Sequence, residues 1–201
     1  HTAYRRQRQM CIRDRDSTVT DPMLLYMFAA WKHERITRDG LLRMLADLES
    51  YLFRRMVCSV SSNGLNKLVP SLIAKLESVE DDPAETFAAL LLTETAKATR
   101  MPTDKEFRQA LLGENLYRPA SRCKYLLAGL ENHNHPKDPR SFDEYTVEHI
   151  MPQNAMAHAE WRDMLSDPGR FPLLVNSLGN LTLTAYNSDC LLYTSPSPRD
   201  S

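Results

Sequence analysis

The chain has 201 residues, of which 42% are hydrophobic and 25% charged, with a formal net charge of −1. This is the composition of an ordinary globular chain rather than a disordered or collagen-like one. Without a basic surplus, any contact with nucleic acid must come from a local basic patch, a metal or a partner domain. The 4 cysteines lack C-x-x-C spacing, which excludes a disulfide framework and a zinc knuckle and fits a reducing compartment. The longest apolar run, Met23 to Trp31, is too short to span a bilayer and follows no secretory signal, so a cytoplasmic chain without membrane contact is expected.

The chain opens on RRQRQMCIRDR, Arg5 to Arg15, and closes on CLLYTSPSPRD, Cys190 to Asp200. Both stretches read as in-frame translations of a transposase-type sequencing adapter and its mosaic end, from opposite strands. Residues 1–15 and 190–201 are therefore expected to be adapter-derived and foreign to the fold, as an expression scar is. What remains carries about −5 and keeps Cys58 and Cys123.

Residues 16–131 read as a helical domain. Asp21-Pro22 is the pattern of an N-cap followed by proline at the first helical position, and Asp82-Pro83 repeats it. Leu41, Leu45, Leu48, Leu52 and Met56 recur at three- and four-residue spacing, which predicts a helix of about four turns with one buried stripe. Thr103 and Glu106 form a capping box for a short helix that Gly113 can close. Tyr125, Leu126 and Leu130 continue the apolar pattern. Arg54-Arg55 reads first as a pair of solvated ion-pairing residues and second as a phosphate contact.

Residues 132–144, NHNHPKDPRSFDE, have two prolines and no apolar period, and are expected to form a linker. His133 and His135 read as solvated loop residues, and His33 and His158 as surface residues. Residues 145–189 then hold two short β-branched segments, YTVEHI and SLGNLTLT, around AEWRDMLSDPGRFPLLV, which predicts strand, short helical insert, strand. Trp161 and Leu165 fall on one face of the insert, with Trp161 as its core anchor.

The second segment group carries chemistry. Phosphodiester hydrolysis needs an activated water, a cation beside the phosphate and ligands that hold the cation. An imidazole at His149 can accept the water proton, and Glu148 supplies a hard oxygen. Asn180 and Asn187 add amides that can ligate metal or hold backbone. Neighbours on a strand point to opposite faces, so Glu148 and His149 converge only if the strand end bends. Pro152 predicts an early end to that strand. Asn180, beside Gly179, reads as a turn residue that shapes the loop. A zinc site from His133, His135 and His149 lacks cysteine partners and would rest on a loop, which argues against it.

EHIMPQN followed by LGNLTLTAYNS resembles the C-terminal nuclease domain of the GmrSD-type, modification-dependent restriction endonucleases, a branch of the HNH or His-Me finger nucleases. ESYLFRRMVC, DKEFRQALL and RCKYLLAGLE extend the resemblance upstream. It implies a mainly α fold, a helical bundle followed by a small ββα nuclease finger that is truncated at its C-terminus. It also implies His149 as general base, Glu148 and Asn187 as ligands of Mg²⁺ or Mn²⁺, and Asn180 as the loop-shaping asparagine. The implied partners are modified or foreign DNA and an absent N-terminal NTPase and recognition domain that would use the nucleotide. With adapter following Asp189, the chain as printed is expected to be inactive. The alternative reading is a helical interaction module whose finger is structural. Resequencing of the genomic locus is expected to return a longer frame free of RRQRQMCIRDR and CLLYTSPSPRD; independent recovery of both peptides would overturn the adapter assignment.

Overall fold

The computed structural model describes residues 17–80, 82–113, 116–117, 120–135 and 137–185; Asn187 and both adapter-like ends lie outside them. The chain is mainly a helical bundle with a small antiparallel strand pair towards its C-terminus. It divides into two compact units between Ala110 and Leu111.

The first unit is built on α1 (Ser17–Lys32), α2 (Arg38–Val57), α3 (Leu65–Glu77) and α4 (Pro83–Thr93). In it α1 packs on α2 and α3, and α4 packs on α2 and α3. Met23 and Met27 of α1, Met44 and Tyr51 of α2, Leu72 of α3 and Phe87 of α4 meet in its core. Full burial of such side chains contributes about 1.5–3 kcal/mol each. Asp82 caps α4 as its sequence predicts, its Oδ1 accepting from Ala84 N–H at 2.9 Å, with Pro83 at the first position. Asp21-Pro22 behaves differently: Pro22 lies inside α1. One turn into a helix, proline removes a single backbone bond, which packing can offset.

The stripe predicted for α2 is also displaced. Its buried line is Leu41, Met44, Leu48, Tyr51 and Arg55, while Leu45, Leu52 and Met56 are half-buried. Because α2 packs on both α1 and α4, it buries a face wider than one leucine row, and the deepest line runs through the middle of that face.

Arg55 corrects the expectation of a solvated pair. It is 3% exposed, and its guanidinium donates to Ser61 O at 2.6 Å, Ala98 O at 2.8 Å and Arg100 O at 3.4 Å. Tyr51 faces it, 5.2 Å from ring centroid to guanidinium carbon, and donates its hydroxyl to Thr99 O. Burial pushes that hydroxyl up to about 12, so it stays a donor. A Cβ on Gly64 would come within 2.7 Å of Ala98 O, so glycine is required where the 98–100 segment crosses. Arg54 is half-buried and pairs with Asp104 at 2.6 Å while lying over the Phe107 ring. Neither arginine presents a bare guanidinium to phosphate.

Helix α5 (Asp104–Gly113) opens with the predicted capping box. Glu106 Oε2 accepts from Thr103 N–H at 2.9 Å, and Thr103 Oγ1 accepts from Glu106 N–H at 3.3 Å. Arg100 first, then Thr103, holds the Glu106 carboxyl well below the usual carboxylate range.

In the second unit α6 (Ala120–Asn134) packs on β1 (Thr146–His149) and β2 (Leu181–Thr184). The strands are antiparallel, with Thr146 opposite Thr184 and His149 opposite Leu181. Cys123, Leu126, Phe142, Met151, Val175 and Leu181 are buried, and burial pushes the Cys123 thiol up to about 11. The predicted linker begins as helix, since α6 runs to Asn134. Asn132 is buried and ties the following loop back: its Nδ2 donates to Arg140 O at 3.1 Å and its Oδ1 accepts from Arg140 N–H at 2.8 Å. SLGNLTLT is also only half strand. LTLT pairs, whereas Leu178–Asn180 is a 3₁₀ turn.

Replacing Arg55 with Met is expected to remove its two short charge-assisted bonds, to Ser61 O and Ala98 O, and to cost about 3–6 kcal/mol, at roughly 1.5–3 kcal/mol for each bond to a charged group. Urea unfolding measures the loss, and a stability within 1 kcal/mol of the parent would refute the clamp.

Candidate functional site

The end of β1 is set by Asn180. This buried amide accepts from Met151 N–H at 2.7 Å and donates to Met151 O at 3.1 Å and Val175 O at 2.8 Å. Its backbone carbonyl accepts from Ile150 N–H at 2.9 Å. One residue thus binds the segment leaving β1 to the turn entering β2. Oxygen and nitrogen of a single amide satisfy three backbone groups that would otherwise be buried unpaired.

Strand pairing continues through His149, so the chain bends only beyond it, at Ile150 and Met151. Glu148 and His149 accordingly project to opposite faces. Glu148 shares its face with Thr146, whose Oγ1 donates to Glu148 Oε1 at 3.3 Å. Both Glu148 and His149 are half-buried.

His149 gathers three residues to which the sequence assigned no role. Its Nε2 lies 3.0 Å from Asn176 Oδ1 and 3.3 Å from Gln153 Nε2. The Tyr117 ring stands edge-on to the imidazole, with centroids 4.5 Å apart and planes at 63°. Asn176 also binds backbone, its carbonyl accepting from Leu116 N–H at 3.2 Å. The only sequence signal for Asn176 is its place four residues before Asn180 in a turn-rich stretch. Tyr117 has no local signal at all, because it reaches His149 through tertiary structure.

Asn187 lies outside the described residues. His33, His133, His135 and His158 are exposed; His133 lies in the last turn of α6 rather than in a loop, and His135 faces Glu131 at 3.6 Å. Trp161 and Leu165 are half-buried, so Trp161 anchors less than the sequence suggests: its helix, Ala159–Met164 (α7), has no fully buried residue. Among the described residues no group of three or more His, Cys, Asp or Glu side chains could hold a metal ion. Among them, too, no helix is long and apolar enough to cross a membrane.

The comparisons with known proteins bear on this same part of the chain. Residues 101–191 match the family described as GmrSD restriction endonucleases, C-terminal domain. A C-terminal domain of that family is therefore present, and it links this part of the chain to restriction nucleases of phage defence. No curated protein and no solved structure matches.

Asn180→Ala is expected to lower stability by about 3 kcal/mol, near 1 kcal/mol for each of three side-chain bonds. Amide exchange at Ile150 and Met151 should quicken with it. Unchanged exchange at both positions would show that Asn180 does not hold the bend.

Proposed function

We propose that the C-terminal part of this chain is the nuclease finger of a restriction system directed at modified or foreign DNA, with His149 as the general base that takes a proton from the attacking water. The observation that carries this reading is the placement of His149 at the last paired position of β1, half-buried, with its ring held on two sides inside the family-matched region. An imidazole so held presents its free nitrogen in one direction, which is the geometric demand on a base. The water oxygen then attacks phosphorus while the P–O bond opposite breaks, and the departing alkoxide takes a proton from solvent.

A Mg²⁺ or Mn²⁺ ion bound in such a site stabilises charge on the phosphate. Glu148 is the proposed oxygen ligand and Asn187 the second. Among the described residues Glu148 projects from the face of β1 opposite to His149, so the strand by itself does not bring the pair to one ion, and one carboxylate is short of the oxygen set that a hard cation takes. The ββα form of the finger, with a helix starting near Asn187, belongs to the same proposal. So does an N-terminal NTPase and recognition domain supplied elsewhere. Asn180 holds the finger together and does not react.

Plasmid nicking tests the reading, in a chain whose residues 190–201 are replaced by the genomic continuation. His149→Ala should keep its fold and lose cleavage by about 10²–10⁴. Glu148→Ala should instead raise the metal concentration needed for half-maximal rate, with partial recovery at excess Mg²⁺ or Mn²⁺. Undiminished nicking by His149→Ala would overturn the assignment.

A further inference from the structure

We propose that Asn176 is the positioning residue of His149, holding its imidazole as the Nε2–H tautomer so that the lone pair rests on Nδ1. The inference deepens the reading of His149 as the base and rests on it for its catalytic meaning. The contact comes first: Asn176 Oδ1 lies 3.0 Å from His149 Nε2, and a carbonyl oxygen can only accept, so the ring nitrogen facing it carries the hydrogen. Gln153 Nε2, at 3.3 Å from the same atom, makes the opposite demand, because an amide nitrogen can only donate. Nε2 cannot satisfy both. Asn176 is half-buried and closer, whereas Gln153 is exposed and can turn its amide into solvent, so the Asn176 contact decides.

The backbone around Asn176 supports this. On one side the Val175 carbonyl accepts from the Asn180 amide at 2.8 Å; on the other, Ser177 N–H donates to Leu174 O at 3.1 Å. The Asn176 carbonyl itself binds Leu116 N–H, and the next residue, Tyr117, sets its ring against the imidazole. Asn176 therefore joins both restraints on His149, a hydrogen bond from its side chain and a ring wall through its backbone. A neutral amide orients the ring without adding a charge to it, unlike a carboxylate partner.

Nitrogen NMR of the uniformly ¹⁵N-labelled 201-residue chain tests this without substrate or metal, with the His149 ring signals assigned by their loss in His149→Gln. The expected pattern is a protonated, pyrrole-type Nε2 and a bare, pyridine-type Nδ1. Asn176→Ala should lose that pattern to exchange averaging of the two nitrogens. Asn176→Asp, which keeps an acceptor, should retain it at a pH high enough to keep the ring neutral beside the added carboxylate, and so should Gln153→Ala. A bare Nε2 in the parent chain, or collapse of the pattern in Gln153→Ala, would overturn the proposal. So would an unchanged pattern in Asn176→Ala whose amide spectrum shows an intact fold. If Asn176→Ala does not fold, the parent, Asn176→Asp and Gln153→Ala spectra still decide. The outcome is separable from the base role: undiminished cleavage by His149→Ala alongside an Nε2–H ring would remove the base role and leave the Asn176 contact standing.

Discussion

The geometry around His149 depends on one buried amide. Asn180 ties the first residues after β1 to the last turn before β2, and it is the only side chain among those described that bonds both the outgoing and the incoming segment there. A two-stranded sheet is marginal in water by itself. The long connection between β1 and β2 makes this one harder to close, since the ends of a long loop cost more entropy to bring together. The amide offsets that cost at the point where register matters. A slip of one residue would carry His149 to the other face of the sheet.

The same device recurs elsewhere in the chain. Asn132 closes the loop after α6 through a reciprocal pair of bonds with Arg140, and Arg55 gathers three carbonyls from two loops in the first unit. In each case the polar side chain is itself buried and satisfies its own donors and acceptors on the backbone of neighbouring segments, which it thereby fixes. The helical unit relies on its core for bulk stability and on Arg55 for the path of its loops. The second unit has a smaller core, and its shape rests correspondingly more on asparagines.

Local signals were read well from the sequence where the physics is local. The Asp82-Pro83 cap and the Thr103–Glu106 box depend on residues within one helical turn, and both formed as their letters predict. Strand assignments at TVEH and LTLT follow from β-branched alternation. The family resemblance, carried by the same stretches, agrees with the match over residues 101–191. Failures arose where a neighbour outside the window decided. Proline at position 22 is tolerated inside α1, Met44 and Tyr51 displace the leucine row of α2, and Arg55 is buried.

By itself, then, the amino-acid sequence determined the type of most elements, the caps at Asp82 and Thr103, the kinship of the C-terminal part and the position of Glu148 and His149 at the end of a strand. Periodicity and capping are properties of residues three or four apart, and a chain states them directly. Tertiary structure alone decided which groups surround the imidazole. Asn176 lies 27 residues from His149 in the chain, and Tyr117 reaches it from a turn whose buried Leu116 donates its N–H to the Asn176 carbonyl. A hydrogen bond between side chains so far apart leaves no period in the sequence. It exists only once β1, β2 and the segment between them have folded together.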